Sequence, residues 1–592
     1  MNFKFTNAVL TNYFSSGWLF FLPYLIFYNI FWITNLPVPT LLDLFFILHL
    51  LNFTGFVYFA FLKYSLIKFN DLIFWAAIIS LFYNTGAYLE FPSDPMSHLF
   101  RIFQWEHVDN FINADAFAKV KFSYFFGYSI LKYFDPIRYK LGLDLYHTFW
   151  GLLLSLQFYK LALSTLKNEA WAKLAVCCII FMLGNSSFNF FCYYGISSTM
   201  LAMIAFLAAL NLLILNNQKN TNGIILIVLA LILGISNHLQ SFLLFISCGL
   251  GVFFHLQIST KGWSKFFKTT GLTFLLFGLI FQLISLFPFY DEYRRVILPY
   301  ILSNEWFYPW GGFKIFSLNP EINNASGRFM QILGWYGILN CIISLYLIKK
   351  NHLIGWISLT PILILLYPPF AQFLAYILIK FKTIIVFQRI FLAIPISFSI
   401  IFVLKMILKS KLSPNKYLLL LPIIFLTHLL ASINPYANQF GRGFNFLEKS
   451  QNDVFFERIS KTTDIIKKTH KSRPNILSDT ATQTIINAQL GLYDDDRLIS
   501  QSLTAKIRNL GGIERIHSNS NFTHILMLSE QPKLSPRGSI LGHASGHWDN
   551  QHLSNSVIYD PSLEKKLDEL IINGWKKEKI SPWYIVYIRG DS

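Results

Sequence analysis

The chain has 592 residues, of which 54% are hydrophobic and only 14% are charged, and its mean hydropathy is +0.46. A soluble protein would carry about a quarter charged residues, so this composition excludes an ordinary soluble enzyme and predicts an α-helical polytopic membrane protein. The formal net charge of +18 does not indicate a nucleic-acid partner, because the basic residues concentrate in short loops between apolar runs.

About thirteen apolar runs are candidates for membrane helices, since a hydrocarbon core of roughly 30 Å needs about 20 residues per helix. The first run, 17–34, is too long for a signal-peptide core and lacks a small-residue cleavage site, so we expect a retained helix. The other predicted spans are 41–62, 70–87, 145–165, 172–190, 193–215, 222–236, 238–257, 270–288, 330–348, 353–370, 390–408 and 417–434.

The lysines between these runs assign the loops to two faces of the membrane. With a cytoplasmic N-terminus, the lysine-rich loops all fall on the cytoplasmic face, as the positive-inside rule requires. The opposite, outer face then receives a first outer segment (88–144), a second outer segment (289–329) and a tail from about 435, all of which mix acids with bases. We expect a bacterial inner membrane with these segments in the periplasm; in a eukaryote, they would face the lumen of the endoplasmic reticulum.

Two domains follow from this topology: a transmembrane domain (1–434) and an extracytoplasmic α/β domain (the tail, 435–592). In the tail, three short runs predict strands and one longer run predicts a helix with Gly574 near its end. The strands are 474–479, 524–530 and 583–589, and the helix is 562–578. Residues 122–134 are too short to span and rich in aromatic residues, so we expect them along the membrane interface.

The segment "LEFPSDPMSHLF" (89–100) places Glu90, Asp94 and His98 just after an apolar run. A carboxylate near a bilayer costs free energy unless it is solvated, paired or in use. His98 and Arg101 follow Asp94 by four and seven residues, and would share one face of a helix starting near Pro95. Capping of that helix by Asp94 is an alternative of equal standing to catalysis. Asp94 and His98 are too few ligands to argue a metal, so no cofactor is predicted and a divalent ion stays open.

Other polar residues lie close to the predicted outer face. Arg389 in "VFQRIFLAIP" would begin a helix at headgroup depth, where a guanidinium can bind phosphate or simply reach the interface. Arg294 and Arg295 in "YDEYRRVILPY" are a weaker pair, because neighbouring acids can neutralise them. His238 in "GISNHLQSF" lies where two apolar runs meet and would line a substrate cavity or bond another helix. The tail sequence "GHASGHWDNQH" favours a flexible loop over a metal site; its candidate ligands are His543, His547, Asp549 and His552.

This arrangement resembles the GT-C superfamily of polytopic membrane glycosyltransferases, which use a lipid-linked sugar donor. The resemblance rests on Asp94 after an early helix, on the second outer segment, on Arg389 and on the extracytoplasmic tail. Many members of that superfamily carry two adjacent acids where this chain has Ser93, Asp94 and Pro95. The resemblance implies transfer of a sugar, with inversion, from a polyprenyl phosphate to an envelope glycan, lipid or protein.

In such a reaction Asp94 would take the proton of the acceptor. The other implied partners of the protein are membrane lipids, the donor and the acceptor. The residues that would bind substrate are Glu90, His98, Arg101, His238, Arg294, Arg295 and Arg389.

Three alternatives stay open. A transporter or flippase for a lipid-linked glycan would place polar residues near the middle of helices. A polymerase or ligase of surface polysaccharide would depend on arginines of the outer segments more than on an acid after an early helix. A non-catalytic assembly scaffold would tolerate the loss of Asp94.

Overall fold

The computed structural model describes most of the chain as helix. The described residues are 13–63, 69–85, 94–135, 138–181, 198–215, 221–284, 325–366, 396–408, 446–469, 474–492, 501–519, 522–532 and 557–590. The helices of the transmembrane domain are α1 (Leu22–Thr34), α2 (Val38–Lys63), α3 (Phe69–Thr85), α4 (Asp94–Phe103), α5 (Phe122–Leu131), α6 (Tyr139–Leu166), α7 (Glu169–Phe181), α8 (Ser198–Leu215), α9 (Thr221–Ile235), α10 (Gln240–Phe266), α11 (Leu272–Ile284), α12 (Ala325–Lys349), α13 (Leu353–Leu366) and α14 (Ile396–Leu408).

Four helices in the described part of the chain are long and apolar enough to cross a membrane. They are Val38–Phe59, Tyr139–Leu166, Ser198–Leu215 and Gln240–Phe277. Shorter apolar helices include Leu19–Thr34, Gly223–Ile235 and Leu353–Ile364. These features indicate an integral membrane protein. The number of about thirteen spans stays a prediction, and the run 417–434 lies outside the described residues.

The predicted spans 238–257 and 270–288 form helical segments on either side of a break at Gly262. This residue has a φ of +74°, a backbone conformation that favours glycine, so Gln240–Phe266 is two helices that meet at a kink. The chain bends sharply there, because the rings of Phe254 and Phe266 lie 5.6 Å apart between centroids although the two residues are separated by a helical length of about 18 Å. After the kink, a π-helical turn (Phe267–Gly271) leads into α11. The lysines predicted between the two spans therefore lie beside this break, in helical backbone.

The short helix α5 lies inside the bundle, which corrects the prediction that 122–134 follows the membrane interface. All its residues except Ile130 are buried, and it packs against α1, α2, α4, α6 and α8. Phe125 meets Phe45 of α2 with ring centroids 4.9 Å apart, and Phe126 meets Tyr24 of α1 at 5.2 Å. A helix that is apolar on all sides is stable only when neighbours cover every face. The aromatic residues that suggested an interface are core residues here.

Helices α3 and α6 pack antiparallel and very closely. Phe74 lies 6.3 Å from Tyr159 between ring centroids, whereas Phe82, two turns later on α3, lies 5.6 Å from His147. Gly151 permits the approach, since a Cβ there would lie 2.2 Å from the Phe82 ring. Each residue advances about 1.5 Å along a helix, so the end of α3 is level with the first turns of α6.

The tail is an α/β domain with a four-stranded sheet in the order β1-β2-β4-β3. Its strands are β1 (Ile476–Leu477), β2 (His524–Leu528), β3 (Trp575–Ser581) and β4 (Tyr584–Arg589). The first pair is parallel, and the other pairs are antiparallel. The helices of the tail are α15 (Phe446–Thr469), α16 (Thr480–Gln489), α17 (Leu503–Asn509), α18 (Ile513–Asn519), α19 (Pro561–Leu567) and α20 (Glu569–Ile572). The three strands predicted in the tail are therefore present, with shorter bounds.

The predicted helix over 562–578 is wrong in its second half. The helical part ends at Ile572, Gly574 has a φ of +88°, and β3 begins at Trp575. Between the buried Trp575 and Ser581, the lysines and the glutamate of this strand are exposed. Charged residues are common on edge strands, where they discourage pairing with other chains. The run of charged residues in this strand resembles the polar face of a helix, which is why the sequence predicted a helix here.

The tail packs directly on the first outer segment. Helix α16 packs against α4, and α15 packs against α6. Lys467 of α15 donates a hydrogen bond of 2.8 Å to Glu106, which follows α4. Two of the three segments that the lysine pattern assigns to the outer face therefore touch each other.

Candidate functional site

Helix α4 carries three of the predicted site residues and is enclosed on two sides. It begins at Asp94, as expected for a helix starting near Pro95. One side contacts α5 of the bundle and another contacts α16 of the tail. From His98 to the end of the helix at Phe103, every residue is buried or half-buried. A helix in a solvent-exposed loop would keep one face in water. Because this part of α4 has no exposed residue, it belongs to the protein core.

His98 is held by α5. Its Nδ1 and the hydroxyl of Tyr124 form a hydrogen bond of 2.6 Å, and the two rings stack with centroids 5.7 Å apart. Both side chains are buried. A buried imidazole bonded to a phenol is fixed in orientation, which favours either a positioned substrate contact or a structural link between helices.

Arg101 lies beside an acid in the same outer segment. Its Nε is 4.0 Å from Asp115 Oδ1, and the side chains are 17% and 36% exposed. Asp115 is itself fixed, because Oδ1 accepts from the backbone N–H of Ala118 and its own N–H donates to Gln104. This ion pair gives Arg101 a structural role that the sequence did not indicate.

The helical spacing places the Cα of Asp94 on the same stripe of α4 as His98 and Arg101. Residues four and seven positions apart lie within about 40° of each other around a helix axis. Since His98 and Arg101 both contact the segment from Asp115 to Tyr124, this stripe is the one facing that segment. Glu90 lies outside the described residues.

A chain of hydrogen bonds ties α5 to the middle of α2. This anchoring chain consists of Tyr13, Asn52, Tyr24, His49 and Ser129. The Ser129 hydroxyl donates to the carbonyl of Phe126 at 2.7 Å, so His49 Nε2, at 2.9 Å, must donate to Ser129. Tyr24 then donates to His49 Nδ1 at 3.0 Å, and Asn52 donates to Tyr24 at 3.1 Å. The hydrogen-bond partners thus fix His49 as the Nε2–H tautomer.

The first turns of α6 hold a buried ion pair. Lys140 Nζ donates to Asp144 Oδ1 at 2.7 Å, and the two residues are only 4% and 8% exposed. His147, one turn further along, is fully buried against Phe82 of α3. Because α3 and α6 run antiparallel, these polar residues of α6 lie level with the end of α3, from which the chain leads to Asp94.

The turn between α9 and α10 contacts the start of α5. Asn237 Oδ1 accepts from the backbone N–H of Ser123 at 3.1 Å, and Tyr146 donates to the carbonyl of the same residue at 3.0 Å. His238 is half-buried, and its Nδ1 accepts from the backbone N–H of Gln240 at 3.2 Å. The structure therefore brings this turn to the candidate site through Asn237, and gives His238 a local contact within the turn.

On the side of the tail, α16 starts from a buried polar cluster. Asp479 caps the helix by accepting from the backbone N–H of Thr482 at 2.9 Å. Burial raises the pKa of this carboxyl, while the bonds from Thr482 and the charge of Lys506 act in the opposite direction. Lys506 donates to Gln483 at 2.7 Å. These groups are internal to the tail and hold α16 where it meets α4.

Several predicted site residues lie outside the described residues: Arg294, Arg295, Arg389, His543, His547, Asp549 and His552. The second outer segment is described only from Ala325 onward. Within the residues that the structure does describe, no group of three histidine, cysteine, aspartate or glutamate side chains is placed to hold a metal ion.

The chain matches no family model and no curated protein. The GT-C interpretation therefore depends on the architecture and on the residues named above.

Sequence reasoning missed four residues that the structure places at or near α4 and α5: Tyr124, His49, Lys140 and Asp144. Two signals were available. Lys140 and Asp144 are an i,i+4 pair of opposite charges at the start of an apolar run, and His49 interrupts "LFFILHLLNF". The pairing of Tyr124 with His98 had no local signal.

Proposed function

We propose that the protein is a membrane glycosyltransferase that moves a sugar from a polyprenyl-phosphate donor to an acceptor outside the cytoplasm. The observation that carries the proposal is the position of α4. This helix begins at Asp94 shortly after α3 ends, and it is enclosed between the bundle and the tail. With the topology predicted from the lysine pattern, an acid at the start of this helix would lie at the membrane boundary, where a lipid-linked donor and a water-soluble acceptor could both arrive.

The chemistry needs one base and one cationic contact. The oxygen of the acceptor bonds to the anomeric carbon as the bond from that carbon to the phosphate oxygen breaks, and the phosphate leaves with the electron pair. Asp94 takes the proton of the acceptor hydroxyl. Arg389 would contact the leaving phosphate, with Arg294 and Arg295 as further candidates. His98 would bind substrate while Tyr124 holds its ring.

The test is the substitution Asp94→Asn in the full-length protein, followed by transfer of radiolabelled sugar from a polyprenyl-phosphate donor. Loss of a general base should lower turnover by about 10²- to 10⁴-fold. Asp109→Asn is the matched control, because Asp109 is an exposed acid of the same outer segment whose backbone carbonyl, not its carboxylate, accepts from Val38. Unchanged turnover of Asp94→Asn, with normal expression, would exclude Asp94 as the base.

One observation favours the transporter alternative. The anchoring chain places His49 and Asn52 near the middle of α2, where a transporter would carry polar residues. Proteoliposomes that contain a fluorescent polyprenyl-phosphate sugar would separate the two functions. A transporter moves this lipid between leaflets without an acceptor and is indifferent to Asp94→Asn, whereas the glycosyltransferase requires both the acceptor and Asp94.

A further inference from the structure

The break at Gly262 lies at the opposite end of the bundle from the candidate site. Gln240, the first residue of α10, follows the turn that contacts α5 through Asn237. The stretch 240–261 is about 32 Å long at 1.5 Å per residue, which matches a hydrocarbon core of roughly 30 Å. The bend at Gly262 is therefore placed at the other boundary of the membrane.

The turn between α12 and α13 is held against α10 just before this bend. Asn351 of the turn donates from Nδ2 to the hydroxyl of Ser259 at 2.7 Å, and its Oδ1 accepts from the indole N–H of Trp356 at 3.1 Å. The two residues that precede Asn351, Lys349 and Lys350, are both exposed. Two segments that are far apart in the sequence thus bring lysines to the same boundary.

An aromatic cluster holds the bend on the bundle. The rings of Trp263 and Phe266 lie 6.0 and 6.1 Å from the indole of Trp356 in α13, between centroids. Phe266 is buried, whereas its neighbour Phe267 is 60% exposed. Other exposed residues of the bend are Lys261, Ser264, Lys265, Lys268 and Thr269. The bend thus presents ammonium groups, hydroxyl groups and one apolar ring to its surroundings.

The lysines at this boundary have no acids among them. Five exposed lysines form the bend surface together with Phe267: Lys261, Lys265, Lys268, Lys349 and Lys350. They belong to the stretches 170–290 and 322–447, which contain no aspartate or glutamate. In the described part of the chain, no acid from another segment forms an ion pair with any of them. Lysines direct membrane topology and acids have little influence on it, so topology alone does not explain the missing acids.

We propose that the bend surface binds the phosphodiester headgroups of anionic phospholipids in the membrane leaflet at this boundary. Lysine ammonium groups at headgroup depth attract such lipids, and the Phe267 ring enters the acyl region beside them. A membrane lipid fits better than a soluble anion, because the cations adjoin an apolar ring and the exposed Leu272 and Leu275 of α11. This inference does not depend on the proposed function, since the bend surface lies away from α4.

Lys167 offers a matched control at the same boundary. It is exposed at the end of α6, where Lys405 of α14 donates to the last helical carbonyl at 2.6 Å. Helix α14 also reaches the turn between α12 and α13, because the rings of His352 and Phe402 lie 4.6 Å apart. Unlike the lysines of the bend surface, Lys167 has an acid, Glu169, two residues away. Its substitution changes the net charge of this boundary by the same amount.

The experiment compares photoreactive phosphatidylglycerol with photoreactive phosphatidylcholine, both with the same acyl chains, in phosphatidylcholine nanodiscs that hold the full-length protein. Mass spectrometry of chymotryptic peptides gives the ratio of the two labels at the bend surface. One lysine near an anionic headgroup contributes about fivefold, so Lys265→Gln should lower this ratio about fivefold. Lys265→Arg should keep the ratio, and joint substitution of Lys261, Lys265 and Lys268 by glutamine should bring it close to one. Phe267→Ser should weaken both labels equally.

The comparison of Lys265→Gln with Lys167→Gln separates a binding surface from a diffuse attraction of anionic lipids. A binding surface keeps its ratio in Lys167→Gln, whereas a diffuse attraction loses as much there as in Lys265→Gln. An equal fall in these two variants, a ratio of one in the unsubstituted protein, or an unchanged ratio in the triple glutamine variant would each overturn the inference. None of these outcomes bears on Asp94, which is tested by sugar transfer.

Discussion

Removing the hydroxyl of Ser129 should destabilise the protein because it leaves the N–H of the half-buried His49 imidazole without an acceptor. The prediction is specific because each hydrogen bond of the anchoring chain has a defined donor and acceptor. The single proton of Ser129 is donated to Phe126, so His49 uses Nε2–H to bond Ser129 and uses Nδ1 to accept from Tyr24. Ser129→Ala removes the only atom at that position that can accept from Nε2–H.

The magnitude follows from two opposing considerations. A buried donor left without a partner costs about 1–3 kcal/mol. Hydrogen bonds within membranes contribute about 0.6 kcal/mol on average and about 1.7 kcal/mol at most, since the unfolded chain finds other partners. Ser129 is 1% exposed and its two bonds are 2.9 and 2.7 Å, so the upper part of the second range applies. We expect about 1.5 kcal/mol, a roughly tenfold fall in the ratio of folded to unfolded protein.

A double-mutant cycle with His49→Phe isolates this contribution. The folded fraction is followed by circular dichroism while sodium dodecyl sulfate is titrated into mixed micelles. Without the imidazole, Ser129→Ala should cost little, and the two substitutions should be coupled by about 1 kcal/mol. Ser155→Ala is the control, because Ser155 is equally buried but donates to Gly151 within its own helix. The prediction is refuted if Ser129→Ala lowers the free energy of unfolding by the same amount with histidine at position 49 as with phenylalanine there.

Three further predictions concern the tail and the packing of the bundle. Charge reversal at Lys467 should weaken the docking of the tail by about 0.5–1 kcal/mol, and combination with Glu106→Lys should restore it, as measured by proteolysis of the tail. Burial raises the pKa of Asp479, so this carboxyl favours the folded tail most below its ordinary pKa of 3.8, and that contribution is lost as the pH rises through the folded pKa. Asp479→Asn should remove this pH dependence from tryptophan-fluorescence unfolding of the full-length protein, and an unchanged profile would contradict it. Gly151→Ala should destabilise the bundle by about 1–3 kcal/mol, because the added methyl group clashes with the Phe82 ring. Unchanged thermal stability of this variant would mean that α3 and α6 can move apart without a measurable loss of free energy.

Local patterns in the sequence predicted the elements near the site. The helix that begins at Asp94 follows from a proline near its first turn and from the spacing of His98 and Arg101. The strands Ile476–Leu477 and His524–Leu528 follow from short apolar runs between turn residues. These elements form because neighbouring residues favour them, so the information lies within about ten residues of sequence.

The contacts between elements were not predictable in the same way. The bond between Tyr124 and His98 and the bond from Ser123 to Asn237 join residues 26 and 114 positions apart. The strand Trp575–Ser581 resembles a helix by composition and is a strand because Tyr584–Arg589 pairs with it. Tertiary packing decides each of these cases, and a single sequence carries no record of that packing.

The position of α5 connects the membrane interior to the candidate site. Ten residues cannot span a bilayer, so neighbouring helices must fix the depth and orientation of this helix. His49 fixes it near Ser129, Asn237 fixes its first turn at Ser123, and Tyr124, between these two points, holds His98. A substitution at His49 should therefore alter the orientation of the His98 side chain, although the two residues lie on different helices. Catalysis that survives His49→Phe at full rate, with the protein folded, would mean that the orientation of His98 is set by α4 and the tail instead.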